Sequence, residues 1–377
     1  MAVEVRPVRT KQERKQFIQF ANELYINCPY YCPTLDFDEY NSFDPKKNPA
    51  LDFSEYELFL AWKDKKLVGR VAALINHTAN ERWNYKHVRF GWIDFIDDYE
   101  VSKALLDAVA SWGKSKGMTA MNGPVGFTDF DKEGALVEGY DYVAPMASLY
   151  NYPYYIKHYE AYGLTKDVDW IEFLITPPDE IPERYARLNK IVAERSHLHS
   201  VKVRNSRELM KRYPNMEYFD VLDAAYQKLY NYQPMTKKQK AYYSELYFGL
   251  LNFDFVTLIE NENNECVGVG LGMPNISEAL RKCKGKLFPF GWLRILRALK
   301  AKKMEHFDLL LIGVRPDYQD KGVTALIFVD QIPYYSQYGI KFVETTSILE
   351  TNHKNQANFA MFEHKQHKRR RAYIKAI

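Results

Sequence analysis

The stretch Leu311-Ile-Gly-Val-Arg-Pro-Asp-Tyr-Gln-Asp-Lys-Gly-Val-Thr-Ala-Leu-Ile-Phe328 decides the fold of this chain. It begins with an apolar run typical of a β-strand that ends at Val314, and Pro316 stops that strand. After Gly322 the apolar residues recur at helical spacing. The first turn of a helix carries unpaired backbone N–H groups and a partial positive charge, and a glycine lets a ligand approach the backbone closely. The stretch therefore predicts a strand–loop–helix unit that binds a pyrophosphate group.

This loop resembles the pyrophosphate loop of the GNAT superfamily of N-acyltransferases, in which Q/R-x-x-G-x-G/A follows a strand ending V-x-P. Gln319 and Gly322 match that motif, and Thr324 replaces the usual glycine or alanine. The resemblance implies that coenzyme A, as acyl-CoA, is the co-substrate. The residues that we expect to hold it in this loop are Val314, Gln319, Lys321, Gly322, Val323 and Thr324. Lys321 adds positive charge, and Arg315 is a second candidate cation.

The order of predicted elements occurs twice along the chain. Each half follows the order strand–helix–hairpin–strand–helix–strand–helix–strand, and Val68-Gly69 and Val267-Gly268 stand at equivalent points of the two hairpins. Prolines in the segment Thr176–Pro182 mark a linker. We therefore predict an α/β fold with a mixed (α+β) sheet, built as two tandem GNAT-like domains over residues 1–178 and 183–377.

The first half lacks the glycine loop. At the equivalent position it has Asp97-Asp-Tyr-Glu-Val-Ser102, whose three acids would repel a pyrophosphate. Its later segment Asn151-Tyr-Pro-Tyr-Tyr-Ile-Lys-His-Tyr-Glu-Ala-Tyr-Gly-Leu164 resembles the closing motif of GNAT domains, in which an Asn precedes a helix ending Y-E-x-x-G-F. We therefore expect a first domain that has the GNAT fold without a coenzyme A site.

The resemblance extends over nearly the whole chain to a bacterial group of tandem GNAT proteins. The segments that carry it include Arg6-Pro-Val, Asp44-Pro-Lys-Lys-Asn-Pro, Glu57-Leu-Phe-Leu-Ala, Gly123-Pro-Val, Leu136-Val-Glu-Gly, Leu287-Phe-Pro-Phe-Gly and Glu350-Thr-Asn352. That group implies acyl-CoA-dependent N-acyltransferase chemistry without fixing a substrate.

GNAT catalysis needs a base for the amine and, often, a tyrosine that protonates the leaving thiolate. Glu350 follows the strand where the acceptor is expected to enter, and we interpret it as the base, with a loop carboxylate or cap as the alternative. Phe362 stands at the usual tyrosine position and cannot donate a proton, so Tyr373 or His364 is the candidate donor. Asn352 is a helix cap or a contact to the acyl-CoA arm.

Three residues of the first half are candidates to line an acceptor cleft, with structural roles as the alternative: Glu138, Asn151 and Tyr155. The motifs of other enzyme classes are absent, namely H-x3-D, G-x-S-x-G and H-E-x-x-H. Cys28 and Cys32 have no second Cys/His pair near them, so we predict no metal site.

The segment 287–303 is basic and aromatic, and Trp292, Ile295, Leu296 and Leu299 would share one face of a helix. That face could lie on an anionic membrane, cover a long acyl chain, or pack on the protein itself. The basic run Lys365–Arg371 could meet headgroups or the 3′-phosphate of coenzyme A, and a solvated charge run is the simpler interpretation.

The bulk composition places the chain among cytoplasmic proteins, peripheral to the inner membrane face at most. The start of the chain has no apolar signal segment, and no apolar run could span a bilayer. A net charge of +4 makes nucleic acid an unlikely partner. We expect an N-acyltransferase that moves an acetyl or longer acyl group to an amine, such as a sphingoid base. The alternatives are a non-catalytic ligand-binding protein and an aminoacyl-tRNA-dependent transferase.

Overall fold

A computed structural model describes residues 2–248 and 251–377. The chain divides into two compact units. The first unit comprises Met1–Ile171, Ser277–Arg294 and His367–Ile377, and the second comprises Glu172–Ile276 and Ile295–Gln366. The predicted domain division between residues 178 and 183 stays a prediction.

Strands occur along the whole chain. They are β1 (Glu4–Pro7), β2 (Ser54–Lys63), β3 (Lys66–Asn76), β4 (His87–Phe95), β5 (Ala120–Gly123), β6 (Ala135–Glu138), β7 (Thr165–Thr176), β8 (His199–Val201), β9 (Val256–Glu260), β10 (Cys266–Pro274), β11 (His306–Val314), β12 (Phe342–Thr345), β13 (Ile348–Leu349) and β14 (Glu363–Ala376).

Helices connect these strands. They are α1 (Lys11–Leu24), α2 (Asp36–Ser42), α3 (His77–Trp83), α4 (Tyr99–Ser115), α5 (Tyr154–Ala161), α6 (Glu183–Ser196), α7 (Ser206–Arg212), α8 (Glu217–Tyr226), α9 (Lys237–Phe248), α10 (Ser277–Cys283), α11 (Gly291–Leu299), α12 (Val323–Tyr338) and α13 (His353–Ala357). The predicted α/β fold with a mixed sheet is therefore confirmed.

The sheets of the two units follow the same order of strands. In the first unit β1, β2, β3 and β4 are antiparallel neighbours, β5 is parallel to β4, and β14 is antiparallel to β5. In the second unit β8, β9, β10 and β11 are antiparallel neighbours, β12 is parallel to β11, and β7 is antiparallel to β12. This repetition supports the duplication inferred from the sequence.

Each unit receives its last strand from a distant part of the sequence. Tyr373 of β14 pairs with Gly123 of β5, and residues 367–377 belong to the first unit. Ile175 of β7 pairs with Val343 of β12, and residues 172–176 belong to the second unit. The early strand β7 thus completes a later sheet, and the final strand β14 completes the first.

Local sequence signals account for the first helix, α1. Thr10 accepts a bond from the backbone N–H of Glu13, whose carboxylate accepts one from the Thr10 N–H, and this capping box starts α1. Phe17, Ile18 and Phe20 lie on the buried face of that helix, as its apolar spacing predicts.

The segment Cys28–Phe53 departs from the prediction, because it holds the short helix α2 where a loop is expected.

The basic run Lys365–Arg371 also differs from its predicted state, because it lies in β14 and is not a solvated charge run. Lys368 and Arg370 are buried, and they donate to the carbonyls of Val143 and Leu149. These two cations are therefore occupied within the first unit.

Candidate active site

The predicted pyrophosphate loop forms the beginning of helix α12. Residues Pro316–Lys321 make a 3-10 turn, and Gly322 has a φ of 75°, in the left-handed region that favours glycine. Helix α12 follows at Val323, and no side chain of the described residues caps its start. Since the first-turn N–H groups of a helix have no intrahelical partner, this start can accept an anion.

Helix α6 packs against the loop. A β-carbon on Gly322 would lie 3.0 Å from Cγ1 of Val192, so little space remains for a side chain there. Asn189 of α6 also donates from Nδ2 to the carbonyl oxygen of Ala325, at 3.3 Å. The glycine is required both by its backbone conformation and by this close neighbour.

The two cations predicted for the loop have different surroundings. Arg315 forms ion pairs with Asp317 at 2.8 Å and Glu265 at 3.2 Å, and these carboxylates raise the pKa of its guanidinium and balance its charge. The ammonium of Lys321 lies 4.3 Å from the ring centroid of Tyr318, and its side chain is exposed. Lys321 is thus better placed than Arg315 to meet an anionic ligand.

Strand β11 leaves its parallel neighbour before it reaches the loop. The paired residues of β11 and β12 end at Leu309 and Thr345, and Thr346 then donates from its N–H to Leu309 and from its hydroxyl to Leu310. Beyond this point the backbone of Leu311–Val314 has no strand beside it on the β12 side within the described residues. Such a divergence opens a strand edge to a ligand.

The same place in the first unit is closed by tyrosines. Phe95 is equivalent to Val314, because it faces Gly69 in the hairpin as Val314 faces Gly268. The N–H of Phe95 donates to the Tyr155 hydroxyl at 3.0 Å, and the Tyr154 hydroxyl donates to the Phe95 carbonyl at 2.5 Å. Both backbone groups that a ligand would use are therefore occupied.

In the second unit the corresponding contacts are different. The carbonyl of Val314 accepts from Nε2 of Gln319 at 3.2 Å, and Gln319 is an exposed loop residue. Two residues before Val314, the carbonyl of Ile312 accepts from the Tyr226 hydroxyl of α8 at 2.8 Å. Val314 is thus held by a side chain that a ligand can displace, whereas Phe95 is held by two tyrosines of α5.

The start of α4 is also closed. Asp98 caps this helix by accepting from the N–H of Glu100 at 3.1 Å, and its carboxylate is paired with Lys63. Asp97 contacts Nε2 of His158 at 3.1 Å. The side-chain carboxylate of Asp98 occupies the helix start where an external anion would bind. That the first domain binds no coenzyme A stays a prediction.

The catalytic candidates lie at different places in the fold. Glu350 is half-buried in the turn after β13, and its backbone carbonyl accepts from Nε2 of Gln356 at 2.9 Å. Asn352 caps α13 by accepting from the N–H of Asn355 at 3.2 Å, which is the cap alternative for this residue. The role of Glu350 as base stays a prediction.

The proton-donor candidates are part of aromatic clusters. Tyr373 is buried in the first unit, 5.3 Å from Tyr159 between ring centroids, and burial raises the pKa of its hydroxyl to about 12. Phe362 is buried in the second unit and packs edge-on against Phe328, at 5.1 Å. Nδ1 of His364 lies 2.9 Å from the carbonyl oxygen of Phe362, so its ring is held. The role of Tyr373 stays a prediction.

The three predicted cleft residues have structural contacts. Asn151 accepts from the N–H of Leu136 at 2.6 Å and donates to its carbonyl at 3.1 Å, so it fixes β6. Tyr155 is buried, and its hydroxyl also accepts from the Tyr25 hydroxyl at 2.7 Å. Glu138 is exposed and lies 3.3 Å from Arg369. Their part in an acceptor cleft stays a prediction.

Sequence reasoning missed three features of these sites: the tyrosine pair on Phe95, the Tyr226 contact and the Val192 contact. The Tyr-Pro-Tyr-Tyr run at 152–155 is a signal for the first, since buried tyrosines need hydrogen-bond partners. The other two depend on long-range packing, which no local pattern encodes.

Among the described residues, no helix combines the length and the apolar character that crossing a bilayer requires.

Comparisons with known proteins found two similar sequences. No protein-family model matches the chain. It is 29% identical over 378 residues to Protein YghO of Escherichia coli (strain K12), covering 99% of this chain and 95% of that protein. It is 29% identical over 317 residues to a protein named bacterial ceramide synthase from Caulobacter vibrioides, covering 83% of this chain and 80% of that protein.

Solved structures show the same fold at low sequence identity. A tandem GNAT protein from the clavulanic acid biosynthesis pathway is 10% identical with a TM-score of 0.55, covering 99% of this chain and 98% of that one. A GCN5-related N-acetyltransferase from Sphaerobacter thermophilus is also 10% identical, with a TM-score of 0.51, covering 99% and 95%. The chain therefore has the fold of the GCN5-related N-acetyltransferases, in its tandem form.

Proposed function

We propose that this protein is an acyl-CoA-dependent N-acyltransferase whose coenzyme A site lies in the second unit. The observation that carries the proposal is the uncapped start of α12, which follows a left-handed Gly322 and a strand that has left its neighbour. The first unit offers a built-in comparison, because its equivalent helix start is capped by Asp98 and its equivalent strand end is occupied by Tyr154 and Tyr155. Of the two equivalent places, the second fits an anionic ligand.

The residues that would hold coenzyme A are those of the loop and the strand end. The N–H groups after Gly322 and the ammonium of Lys321 would bind the pyrophosphate, and Gln319 and Val314 would contact the rest of coenzyme A at the end of the strand. When bound, acyl-CoA supplies the activated acyl group. Val323 is buried and anchors the first turn against the core cluster that contains Ile259 and Ile327, so the backbone N–H groups stay in place.

We propose that Glu350 accepts the proton of the attacking amine. Glu350 is half-buried and follows β13, and the backbone of the turn that carries it is fixed by Gln356 and by the Asn352 cap. A carboxylate on such a turn can orient an amine and remove its proton.

We further propose that the acceptor is a long-chain lipid amine of the sphingoid-base type. The relative named bacterial ceramide synthase supports this choice, because a ceramide is an N-acylated sphingoid base. The protein named YghO adds no information about a substrate. Cytoplasmic location is consistent with a supply of acyl-CoA and forms part of the proposal.

The cofactor assignment is tested by Gly322→Asp. The new carboxylate would repel the pyrophosphate, and its β-carbon would meet Val192, so we expect no measurable binding of coenzyme A by calorimetry. Gly117→Asp is the matched control, because Gly117 also has a positive φ, of 78°, and a β-carbon added there would meet no other atom within 4 Å. Unchanged affinity in Gly322→Asp would rule out this loop as the site.

The acceptor is tested with the full-length protein, a series of acyl-CoA chain lengths and either sphinganine or a short alkyl amine. Mass spectrometry should detect an N-acyl product from sphinganine, and none with Gly322→Asp. A product from the short amine alone would remove the lipid acceptor and keep the transferase. Coenzyme A binding without any product would instead favour a ligand-binding protein. Phe362 would then support that function, because it is buried and has no hydroxyl to protonate a leaving thiolate.

A further inference from the structure

One surface of the protein combines exposed aromatic side chains with a dense positive charge. We call residues 281–303 the basic aromatic segment. It contains nine lysines and arginines and no aspartate or glutamate. The basic residues are Arg281, Lys282, Lys284, Lys286, Arg294, Arg297, Lys300, Lys302 and Lys303. A run of this sign and density attracts anionic partners.

The apolar side chains of this segment are turned to solvent. Phe288 is 79% exposed, Phe290 68%, Trp292 47% and Leu296 36%. The described residues include nine exposed large hydrophobic side chains, and these four fall within nine consecutive positions. A cluster of this kind marks an interaction surface, whereas single exposed hydrophobic residues do not.

The exposure belongs to an ordered structure. The N–H of Trp292 donates to the carbonyl of Leu287 at 2.9 Å, and its indole Nε1 donates to the carbonyl of Pro289 at 3.2 Å. Arg294 donates from Nη1 to the carbonyl of Lys282 at 2.7 Å. These bonds fold the segment back on itself, so the rings of Phe288 and Phe290 are held outward.

Residues 281–294 of the segment belong to the first unit, where the N–H of Asp36 donates to the carbonyl of Gly285 at 2.9 Å. Just before the segment, the hydroxyl of Ser277 donates to the carbonyl of Ala144 at 3.1 Å. The helical face predicted from the sequence is corrected in one respect, because Leu299 is buried and Ile295 is half-buried. The outward surface therefore consists of Phe288, Phe290, Trp292 and Leu296.

We infer that the basic aromatic segment binds the surface of an anionic phospholipid bilayer. Phenylalanine, tryptophan and leucine side chains enter the boundary between headgroups and acyl chains, and surrounding cations meet the phosphates. The charge of the segment selects this partner over a neutral apolar surface, since it has nine cations and no acid of its own. This inference goes beyond acyl transfer and does not depend on it.

The test is sedimentation of the full-length protein with vesicles. We expect binding to vesicles of phosphatidylcholine with about 25% phosphatidylglycerol, little binding to phosphatidylcholine alone, and release at about 0.5 M salt. The Phe288→Ser/Phe290→Ser variant should bind the vesicles at least roughly tenfold more weakly. Its melting temperature should be unchanged, because both rings are already exposed.

The matched control is Tyr85→Ser/Leu246→Ser, which removes two other exposed large hydrophobic side chains. It should bind vesicles as the unchanged protein does. Equal loss of binding in both variants, or no binding by the unchanged protein, would overturn the inference. A monomer–dimer equilibrium that the Phe288→Ser/Phe290→Ser variant abolishes would also overturn it, because the surface would then join two copies of the chain.

Discussion

At the scale of single residues, the contrast between Asp98 and Gly322 separates the two units. Both residues stand before a helix that follows the fourth antiparallel strand of its sheet. Asp98 supplies its own carboxylate to the helix start and is paired with Lys63. Gly322 supplies no side chain, and its left-handed conformation turns the chain into α12. One position thus decides whether the helix start is self-capped or able to bind an external anion.

The proposed base is tested by Glu350→Gln, which keeps the size of the side chain and removes its basicity. We expect turnover to fall by ~10²–10⁴ while the affinity for coenzyme A is unchanged. Glu262→Gln is the control, since Glu262 is an exposed carboxylate in the turn between β9 and β10. If Glu350→Gln turns over nearly as fast as the protein without the substitution between about pH 6 and 9, the base lies elsewhere.

Asp131 gives a prediction for pH dependence. Burial raises the pKa of this carboxyl from 3.8 to about 6, although its oxygen accepts from the N–H of Thr128 at 3.0 Å. The unfolded chain therefore ionises first, and the contribution of Asp131 to stability decreases as the pH rises from about 4 to about 6. The Asp131→Asn variant cannot ionise there and keeps an oxygen acceptor.

The stability of Asp131→Asn relative to the unchanged protein should consequently increase from pH 4 to pH 7, by up to about 3 kcal/mol. Urea denaturation at a series of pH values measures this difference. Asp179→Asn, at an exposed position, is the control measured in parallel. A flat difference for Asp131→Asn as well would mean that its carboxyl is not perturbed in the folded chain.

At the scale of elements, the end of β4 depends on the tyrosines of α5. Removing one hydroxyl by Tyr155→Phe leaves the buried N–H of Phe95 without its partner, and also ends the bond to Tyr25. An unsatisfied buried donor costs about 1–3 kcal/mol, which we expect to see in the free energy of unfolding. Tyr85→Phe, at an exposed ring, is the control and should cost little. A loss as small as that of the control would show that water replaces the tyrosine hydroxyl.

The elements that can be predicted from the sequence are those with strong periodicity or clear ends. Apolar spacing and terminal glycines place the starts of α4 and α12 within two residues of the observed ones. The short helix α2 and strand β6 escape prediction, because each is too brief for its period to be recognised. The beginning of the basic strand β14 looks solvated in the sequence, since its cations are buried only through carbonyls supplied by distant residues.

The loop at Gly322 can be found from the sequence because it consists of consecutive residues with one backbone requirement. The remaining parts of the candidate site cannot be found in this way. Val192 approaches Gly322 across 130 positions, and Tyr226 reaches Ile312 across 86, so their contacts exist only after folding. The catalytic roles of Glu350 and Tyr373 stay predictions, because they depend on where an acceptor binds.

At the scale of the whole molecule, the first unit requires residues 367–377, whose strand lies beside β5. We expect a fragment of residues 1–178 to lack a cooperative unfolding transition in urea. Joining residues 363–377 to that fragment through a flexible linker should restore part of the transition, since it returns the antiparallel partner of Gly123. A cooperative transition in the fragment alone would show that residues 1–178 fold independently.

Each half of the chain contributes a strand to the sheet of the other half, and this exchange affects how such a protein can evolve. A duplicated coding region is normally free to decay once its copy carries the activity. Here the early half contributes residues 172–176 to the later sheet, and the late half contributes residues 367–377 to the earlier one. A deletion in either half would therefore damage both, so we expect natural selection to preserve them together. The first half would therefore be indispensable as a scaffold for the second, whether or not it binds a ligand of its own.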